Sequence, residues 1–142
     1  MAQALLRHRL GAADLHGRIE VESAGTFAQV GTPASSLAVA VLEEAGIEMG
    51  EHLARQLDAQ LLEKADLVLV MEESHRRSVM YQGPAFLGKT YLLSELSGVH
   101  RDIPDPYGKD TETYRRVLSL IGGFIEDGWE LLLGRLNVTH SP

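Results

Sequence analysis

The amino-acid sequence predicts an α/β protein in which a small parallel sheet carries helices on both faces. Three observations lead to this fold class. Residues 67–71 (LVLVM) are all apolar, so both faces of that strand should be buried, as is typical of parallel sheets. Segments with helical periodicity alternate with short strand-like segments, in the order αβαβαβα. The 142 residues are the usual length of one domain, so we expect a single domain over residues 1–142.

The N-terminal third of the chain predicts two helices separated by a strand. Residues 2–10 have leucines on one side and arginines on the other, which indicates a helix. Residues 19–22 (IEVE) alternate apolar and acidic side chains, which predicts a strand. Thr32 is the expected cap of the next helix, with Pro33 at its first position and Gly46 at its end.

The middle of the chain predicts the buried strand and the elements around it. Asp58 is in position to cap a short helix that precedes the strand at residues 67–71. A polar helix should follow from about residue 73 to residue 80, and residues 90–93 (TYLL) should form a further strand.

The C-terminal part of the chain predicts one long amphipathic helix. Its cap is expected at Asp110 or Thr111, and a single apolar stripe continues as far as Leu132. Three glycines interrupt this pattern and should each weaken the helix by about 1 kcal/mol relative to alanine. They are Gly122, Gly123 and Gly128.

The composition excludes several classes of function. Lys and Arg number 13 against 20 Asp and Glu, so the net charge is −7, which argues against nucleic acid or an anionic membrane as the main partner. No uninterrupted apolar run exceeds six residues, far below the roughly 20 that a membrane-spanning helix needs. The sequence contains no cysteine, so none of its residues can form a disulfide, a Cys-ligated metal site or a thiol nucleophile.

Three local clusters could carry chemistry, and each also has a purely structural explanation. Residues 23–26 (SAGT) follow a predicted strand, where open α/β sheets bind ligands, but they would equally suit a tight turn. His52 and Arg55 could be a site or a structural pair. Residues 102–108 (DIPDPYG) hold a carboxylate between two prolines, which suits a general acid but also a capped turn. The six histidines have no metal-ligand spacing, so we expect no metal.

The order of these segments resembles the low-molecular-weight protein-tyrosine-phosphatase family nearly from end to end. The first segment is similar to the helix that follows the phosphate-binding loop of that family, and the last contains its Asp-Pro-Tyr element. Each motif is weak alone, but six in register make a specific pattern. The matching segments are residues 1–7, 21–26, 31–33 with 45–47, 52–55, 65–71 and 102–108.

The resemblance implies a phosphatase that needs no metal and no cofactor. In that family a Cys-x5-Arg loop precedes the first helix, its thiolate attacks phosphorus, and its backbone N–H groups bind the phosphate oxygens. Asp105 is then the general acid, rather than Asp102, because Asp105 directly precedes Pro-Tyr. Tyr107 would line the rim of the site and stack on a substrate ring. Ser23 and His52 would brace the phosphate loop.

The sequence departs from the family pattern at its start. Neither the first strand nor the Cys-x5-Arg loop occurs in the 142 residues. We expect that an internal methionine has been taken as the start of a longer protein, with a true deletion as the alternative. The domain over residues 1–142 would then lack its N-terminal strand and phosphate loop, and the chain as written should show no turnover.

Several interpretations of function stay open at this point. The implied partner is a phosphorylated protein, carrying phosphotyrosine or phosphoarginine, and the residue that separates these substrates would lie in the absent loop. A catalytically inactive phosphatase fold used as a binding or regulatory module is an alternative, as is a different small α/β phosphate-binding protein. A cytoplasmic location is expected, and the sequence leaves the oligomeric state open.

Overall fold

The computed structural model describes residues 1–138, which form eight helices and strands and two segments of 3-10 helix. In chain order the elements are α1 (Ala2–Ala12), α2 (Ser36–Glu44), α3 (Ala59–Lys64), β1 (Val68–Val70), α4 (Glu73–Gln82), β2 (Thr90–Leu92), α5 (Thr111–Asp127) and α6 (Trp129–Arg135). The 3-10 segments are Pro84–Lys89 and Leu93–Ser97. The α/β class is confirmed.

The chain folds into two compact units. The first comprises Met1–Gln56 with Asp105–Gly122, and the second comprises Leu57–Pro104 with the part of the chain that begins at Gly123. The prediction of one domain over residues 1–142 stays a prediction. No helix within residues 1–138 combines the length and the apolar character needed to cross a bilayer.

The first unit has a core formed by α1, α2 and the first part of α5. Leu42 is fully buried and Val41 nearly so, and they pack with Ala4 and Leu118. Such a cluster of apolar side chains removed from water is the main stabilising contribution to a small unit. The predicted helix at residues 2–10 is therefore confirmed as α1, with its apolar side against the core.

The cap of α2 differs from the prediction. Ser35 is the N-cap, because its Oγ accepts a hydrogen bond from the Ala38 N–H at 3.2 Å. Thr32 instead donates its hydroxyl to the Gln29 carbonyl at 2.8 Å, and Pro33 forms an isolated antiparallel bridge with Leu53. The helix ends as predicted, with Gly46 at a φ of +77° that favours glycine.

The predicted strand at residues 19–22 is wrong. The half-buried and exposed side chains do alternate there, but the described backbone of this segment pairs with no strand. Side chains hold it instead, because Gln3 and Arg7 of α1 both donate hydrogen bonds to the Val21 carbonyl. Regular pairing is reduced to one parallel bridge between Gly25 and Gln56.

The second unit contains a two-stranded parallel sheet. β1 pairs with β2 in the register Val68↔Thr90, Leu69↔Tyr91 and Val70↔Leu92, which confirms both predicted strands in slightly shorter form. Val79 of α4 and Leu62 of α3 are buried against Val70 and Leu92. Asp58 caps α3 as predicted, through a hydrogen bond of 2.9 Å from the Leu61 N–H.

The long C-terminal helix begins as predicted but does not continue to Leu132. Asp110 caps it by accepting the Thr113 N–H at 2.9 Å. The helix stops at Asp127, and α6 starts at Trp129. The break lies at Gly128, where the backbone approaches Leu96 so closely that a Cβ would be 2.4 Å from the Leu96 Cβ. Leu132 therefore belongs to α6.

Candidate active site

Three of the four residues predicted for the site line one pocket of the first unit. The pocket has a volume of about 370 Å³, and its lining includes His52, Asp105 and Tyr107 together with Met1. The fourth residue, Ser23, is not part of this lining. The roles of all four side chains stay predictions, but the structure brings the proposed acid, the rim aromatic and one bracing residue to a single cavity.

The Asp105 carboxylate is held by its own loop. Its Oδ1 accepts a hydrogen bond of 3.0 Å from the Tyr107 N–H, which closes a tight turn over Pro106. The fixed φ of proline restricts this turn further, and Pro106 is buried while Asp105 is exposed. The sequence thus fixes an exposed carboxylate on a rigid backbone, with the Tyr107 side chain, 78% exposed, next to it.

The half-buried position of His52 disfavours its charged form. Burial has the largest effect on its pKa and lowers it from the usual value of 6.5. The positive charges of the Met1 amino group, Arg7 and Arg55 lower the pKa of His52 further, in that order. A neutral imidazole keeps one donor and one acceptor nitrogen, so His52 can bridge a donor and an acceptor group.

The N-terminal end of α1 contributes positive potential to the pocket. Met1 is the N-cap of α1, no side chain caps this end, and the first turn contains no acidic residue. The unpaired N–H groups and the helix dipole at such an end favour an anion. Burial lowers the pKa of the Met1 amino group, and the Asp105 carboxylate opposes this shift.

Ser23 is fixed by two neighbouring segments of the first unit. Its Oγ donates to the Gln3 Oε1 at 2.5 Å, and its carbonyl accepts a hydrogen bond of 3.0 Å from Arg55 Nε. Arg55 also forms an ion pair with Glu22 at 3.2 Å. The His52–Arg55 segment thus has a structural function, through Arg55, in addition to the position of His52 at the pocket.

Ser35 and Tyr114 are pocket residues that the sequence did not single out as site residues. Ser35 Oγ donates to Tyr114 Oη at 3.2 Å, and both residues line the pocket. In the sequence Tyr114 falls on the apolar stripe predicted for the last helix, and it is only 4% exposed. A tyrosine in an otherwise aliphatic stripe was the one available signal, since a buried phenol hydroxyl usually finds a polar partner.

A second group of titratable side chains lies in the second unit. Potential ligand atoms of Glu73, Glu95 and His100 lie within 4.8 Å of one another, the only such group of metal-ligand side chains in residues 1–138. The Arg76 guanidinium binds Glu95 and also lies 3.7 Å from Glu73, while His100 Nε2 is 3.0 Å from the other Glu73 oxygen. Arg76 therefore already neutralises much of the negative charge that would attract a cation.

Comparison with known protein families decides the family. The sequence model described as low molecular weight phosphotyrosine protein phosphatase matches residues 1–137. The chain belongs to this family. The resemblance of the separate motifs is thereby confirmed, and the match extends through both units of the fold.

Individual members of the phosphatase family are similar over most of the chain. A probable low molecular weight protein-tyrosine-phosphatase, EpsP, of Ralstonia nicotianae is 37% identical over 129 residues, which are 91% of this chain and 83% of the relative. A protein-arginine-phosphatase of Geobacillus stearothermophilus is 40% identical over 137 residues, 96% of this chain and 83% of the relative.

Solved phosphatase structures have the same fold. The low molecular weight protein tyrosine phosphatase of T. tengcongensis superposes with a TM-score of 0.84 at 38% identity, over 91% of this chain and 87% of that one. The YwlE arginine phosphatase of Geobacillus stearothermophilus also gives 0.84, at 34% identity over 99% of this chain and 89% of that one. The α/β phosphatase fold is thus shown independently of the sequence motifs.

Proposed function

We propose that the pocket around Asp105 is the leaving-group side of a phosphomonoesterase active site. One observation carries this proposal: Asp105, His52 and Tyr107, which come from two separate parts of the family pattern, line a single pocket at the N-terminal end of α1. An anion bound at the helix end would have a proton donor at one side and an aromatic ring at the mouth.

The reaction needs a nucleophile that these 142 residues do not contain. In the family pattern a cysteine thiolate attacks phosphorus, the bond from phosphorus to the leaving oxygen breaks, and Asp105 gives its proton to that oxygen. The Asp105 carboxylate then takes a proton from the water that attacks the phosphocysteine, which releases phosphate and restores the thiolate. We propose that a Cys-x5-Arg loop encoded upstream of Met1 supplies this thiolate.

Ser23 and His52 are proposed to support that loop rather than to touch the substrate. Ser23 is held by Gln3 and Arg55 on one side of α1. Burial lowers the pKa of His52 and so favours the neutral imidazole, which can both accept and donate a hydrogen bond. Both side chains would therefore fix backbone groups of the loop in the orientation that phosphate binding requires.

The proposed substrate is a phosphorylated protein. Phosphotyrosine is the first candidate, because the family description names it and the exposed Tyr107 ring can stack on a phenol ring. Phosphoarginine is the second candidate, because the arginine phosphatase relative matches 96% of this chain at 40% identity. Purified enzyme offered a phosphotyrosyl and a phosphoarginyl peptide in separate assays would decide between them.

Turnover by two forms of the protein tests the proposed function. Translation of the codons upstream of Met1 should reveal an in-frame Cys-x5-Arg loop, and the longer form should hydrolyse p-nitrophenyl phosphate with inhibition by vanadate. The 142-residue chain should show no turnover, and measurable turnover by that chain would contradict the proposal. An upstream region without the loop would instead favour the binding or regulatory module.

Asp105→Asn in the longer form tests the role of the acid. It should lower kcat about 100-fold or more, the usual contribution of general acid catalysis. The matched control is Asp102→Asn, because the Asp102 carboxylate accepts the Glu73 N–H at 3.0 Å at the start of α4. Asn can also accept that bond, so this variant should keep kcat within about twofold. Equal losses in the two variants would contradict the assignment to Asp105.

We further propose that the protein acts in the cytoplasm and that residues 1–142 unfold as one domain. Cell fractionation tests the location. Calorimetry tests the second point, since a single domain should give equal calorimetric and van't Hoff enthalpies, while two independent units should not.

A further inference from the structure

The Ser35–Tyr114 hydroxyl pair is a polar feature of the pocket that the phosphatase chemistry above does not use. Tyr114 is only 4% exposed, and its ring packs among Ala38, Val41 and Leu42 in the core of the first unit. Its hydroxyl is bonded to Ser35, which lines the same pocket. The core therefore fixes the ring, and the hydroxyl is the polar group of a residue that lines the pocket.

The hydrogen bonds of this pair leave one donor unused. Ser35 Oγ accepts the Ala38 N–H at 3.2 Å and donates its only proton to Tyr114 Oη at 3.2 Å. A tyrosine hydroxyl has one proton of its own to donate. No acceptor for the Tyr114 proton occurs among the hydrogen bonds of residues 1–138, so a fixed donor is available at the pocket wall.

We propose that Tyr114 is a specificity-determining residue that donates this hydrogen bond to the oxygen of a phenolic leaving group, with Ser35 as its positioning residue. The proposal rests on the proposed function for the substrate class. A phenolic oxygen has lone pairs that can accept the bond, whereas a guanidinium group has five donors and no acceptor. Tyr114 therefore favours phosphotyrosine over phosphoarginine.

The size and lining of the pocket fit such a ring. A volume of about 370 Å³ lies in the usual range of small-molecule sites and accommodates a phenol ring. Met49 and Pro33 provide apolar walls, and Tyr107 provides an aromatic rim. Asp105 and Tyr114 both line this pocket, so each offers a polar group to the oxygen of a ring held by these walls.

Binding of p-cresol to the 142-residue chain tests the proposal without any turnover. The probe is the side chain of tyrosine, and toluene is the matched ligand that lacks the hydroxyl. Two of the four methionines, Met1 and Met49, line the pocket, whereas Met71 and Met80 lie in the second unit and serve as internal controls. In protein labelled with 13C at the methionine methyl groups, p-cresol should shift the Met1 and Met49 signals only.

Tyr114→Phe removes the donor and keeps the ring in the core. The affinity for p-cresol should fall about threefold to tenfold, the usual effect of one hydrogen bond, while the affinity for toluene stays unchanged. A merely structural role would weaken both ligands alike, so the ratio of the two affinities isolates the hydroxyl. Ser35→Ala should also reduce the preference for p-cresol over toluene, since the Tyr114 hydroxyl loses the partner that orients it.

Three results would overturn the proposal. The first is that p-cresol shifts neither the Met1 nor the Met49 signal. The second is that Tyr114→Phe lowers the affinities for p-cresol and toluene equally. The third is that ethylguanidinium binds and that Tyr114→Phe lowers its affinity as much as the affinity for p-cresol. Failure of the proposed phosphatase function would appear separately, as absence of turnover in the longer form, because this experiment measures binding alone.

Discussion

Replacement of Gly128 by alanine should destabilise the protein by about 3 kcal/mol. A Cβ at this position would lie 2.4 Å from the Leu96 Cβ and 2.8 Å from both the Leu96 carbonyl carbon and oxygen. Carbon atoms in favourable contact are about 3.5–4.0 Å apart, so the two segments must separate by about 1 Å. Overpacking of this kind costs about 1–3 kcal/mol, and we expect the upper end because two of the three atoms belong to the backbone, which no rotamer change can move.

Urea unfolding followed by the fluorescence of Trp129, the single tryptophan, measures this change next to the substituted residue. With a typical dependence on urea, a loss of about 3 kcal/mol lowers the midpoint by about 1–2 M. Gly123→Ala is the matched control, because Gly123 is exposed within α5 and nothing lies within 4 Å of its Cβ position. That variant should gain up to about 1 kcal/mol. A Gly128→Ala protein as stable as the unsubstituted protein would refute the reasoning.

Two further substitutions should change the pH dependence of stability. The pKa of His52 is lower in the folded protein than in the unfolded chain, so the unfolded chain binds a proton first as the pH falls below about 6.5. The protein therefore loses stability between about pH 6.5 and the pKa of folded His52. His52→Gln should remove that part of the loss, which a comparison of urea midpoints at about pH 7.5 and 5.5 would show. The Thr113 hydroxyl and, to a smaller extent, the Thr113 N–H donate hydrogen bonds to Asp110 and lower its pKa below 3.8. The ionised carboxylate therefore stabilises the fold above that pH, and this contribution disappears as the pH falls through the pKa of folded Asp110. Asp110→Ala should therefore cost more stability at pH 7 than at about pH 2, and an equal cost at both would contradict the cap.

The elements that the sequence predicted well are those determined by nearby residues. Asp58 and Asp110 cap their helices through hydrogen bonds to N–H groups three residues ahead, so the donor and acceptor lie within one turn. The apolar run that contains β1 is likewise a local feature. Each of these elements depends on interactions that a short window of sequence contains.

The elements that the sequence predicted wrongly depend on distant residues. The segment at 19–22 has the alternation of a strand, but whether it pairs depends on its neighbours in the fold. Here Gln3 and Arg7 donate to the Val21 carbonyl, and Arg55 donates to the Ser23 carbonyl. The break at Gly128 depends on Leu96, which lies 32 positions earlier in the chain. All three glycines of the last helix look alike in the sequence, and only the tertiary contact distinguishes Gly128 from the others.

The candidate site shows the same division. Asp105 and Tyr107 are adjacent in one loop, so their joint position at a pocket follows from local geometry. The bond between Ser35 and Tyr114 joins residues 79 positions apart, and neither residue has a local pattern that indicates a site. The family resemblance supplied His52, because a single half-buried histidine gives no such indication by itself.

The core and the pocket of the first unit share side chains, which determines how variants of the site must be interpreted. Ala38 and Tyr114 belong to both, so substitutions at these residues change stability and ligand affinity together. Tyr107 is 78% exposed, so its substitution should act on ligands with little effect on stability. When two ligands are compared on one variant, the effect of its changed stability is the same for both ligands and cancels. When two variants are compared with one ligand, that effect does not cancel. The role of Tyr114 can therefore be measured only by pairing ligands, while Tyr107 can be assessed directly from single substitutions.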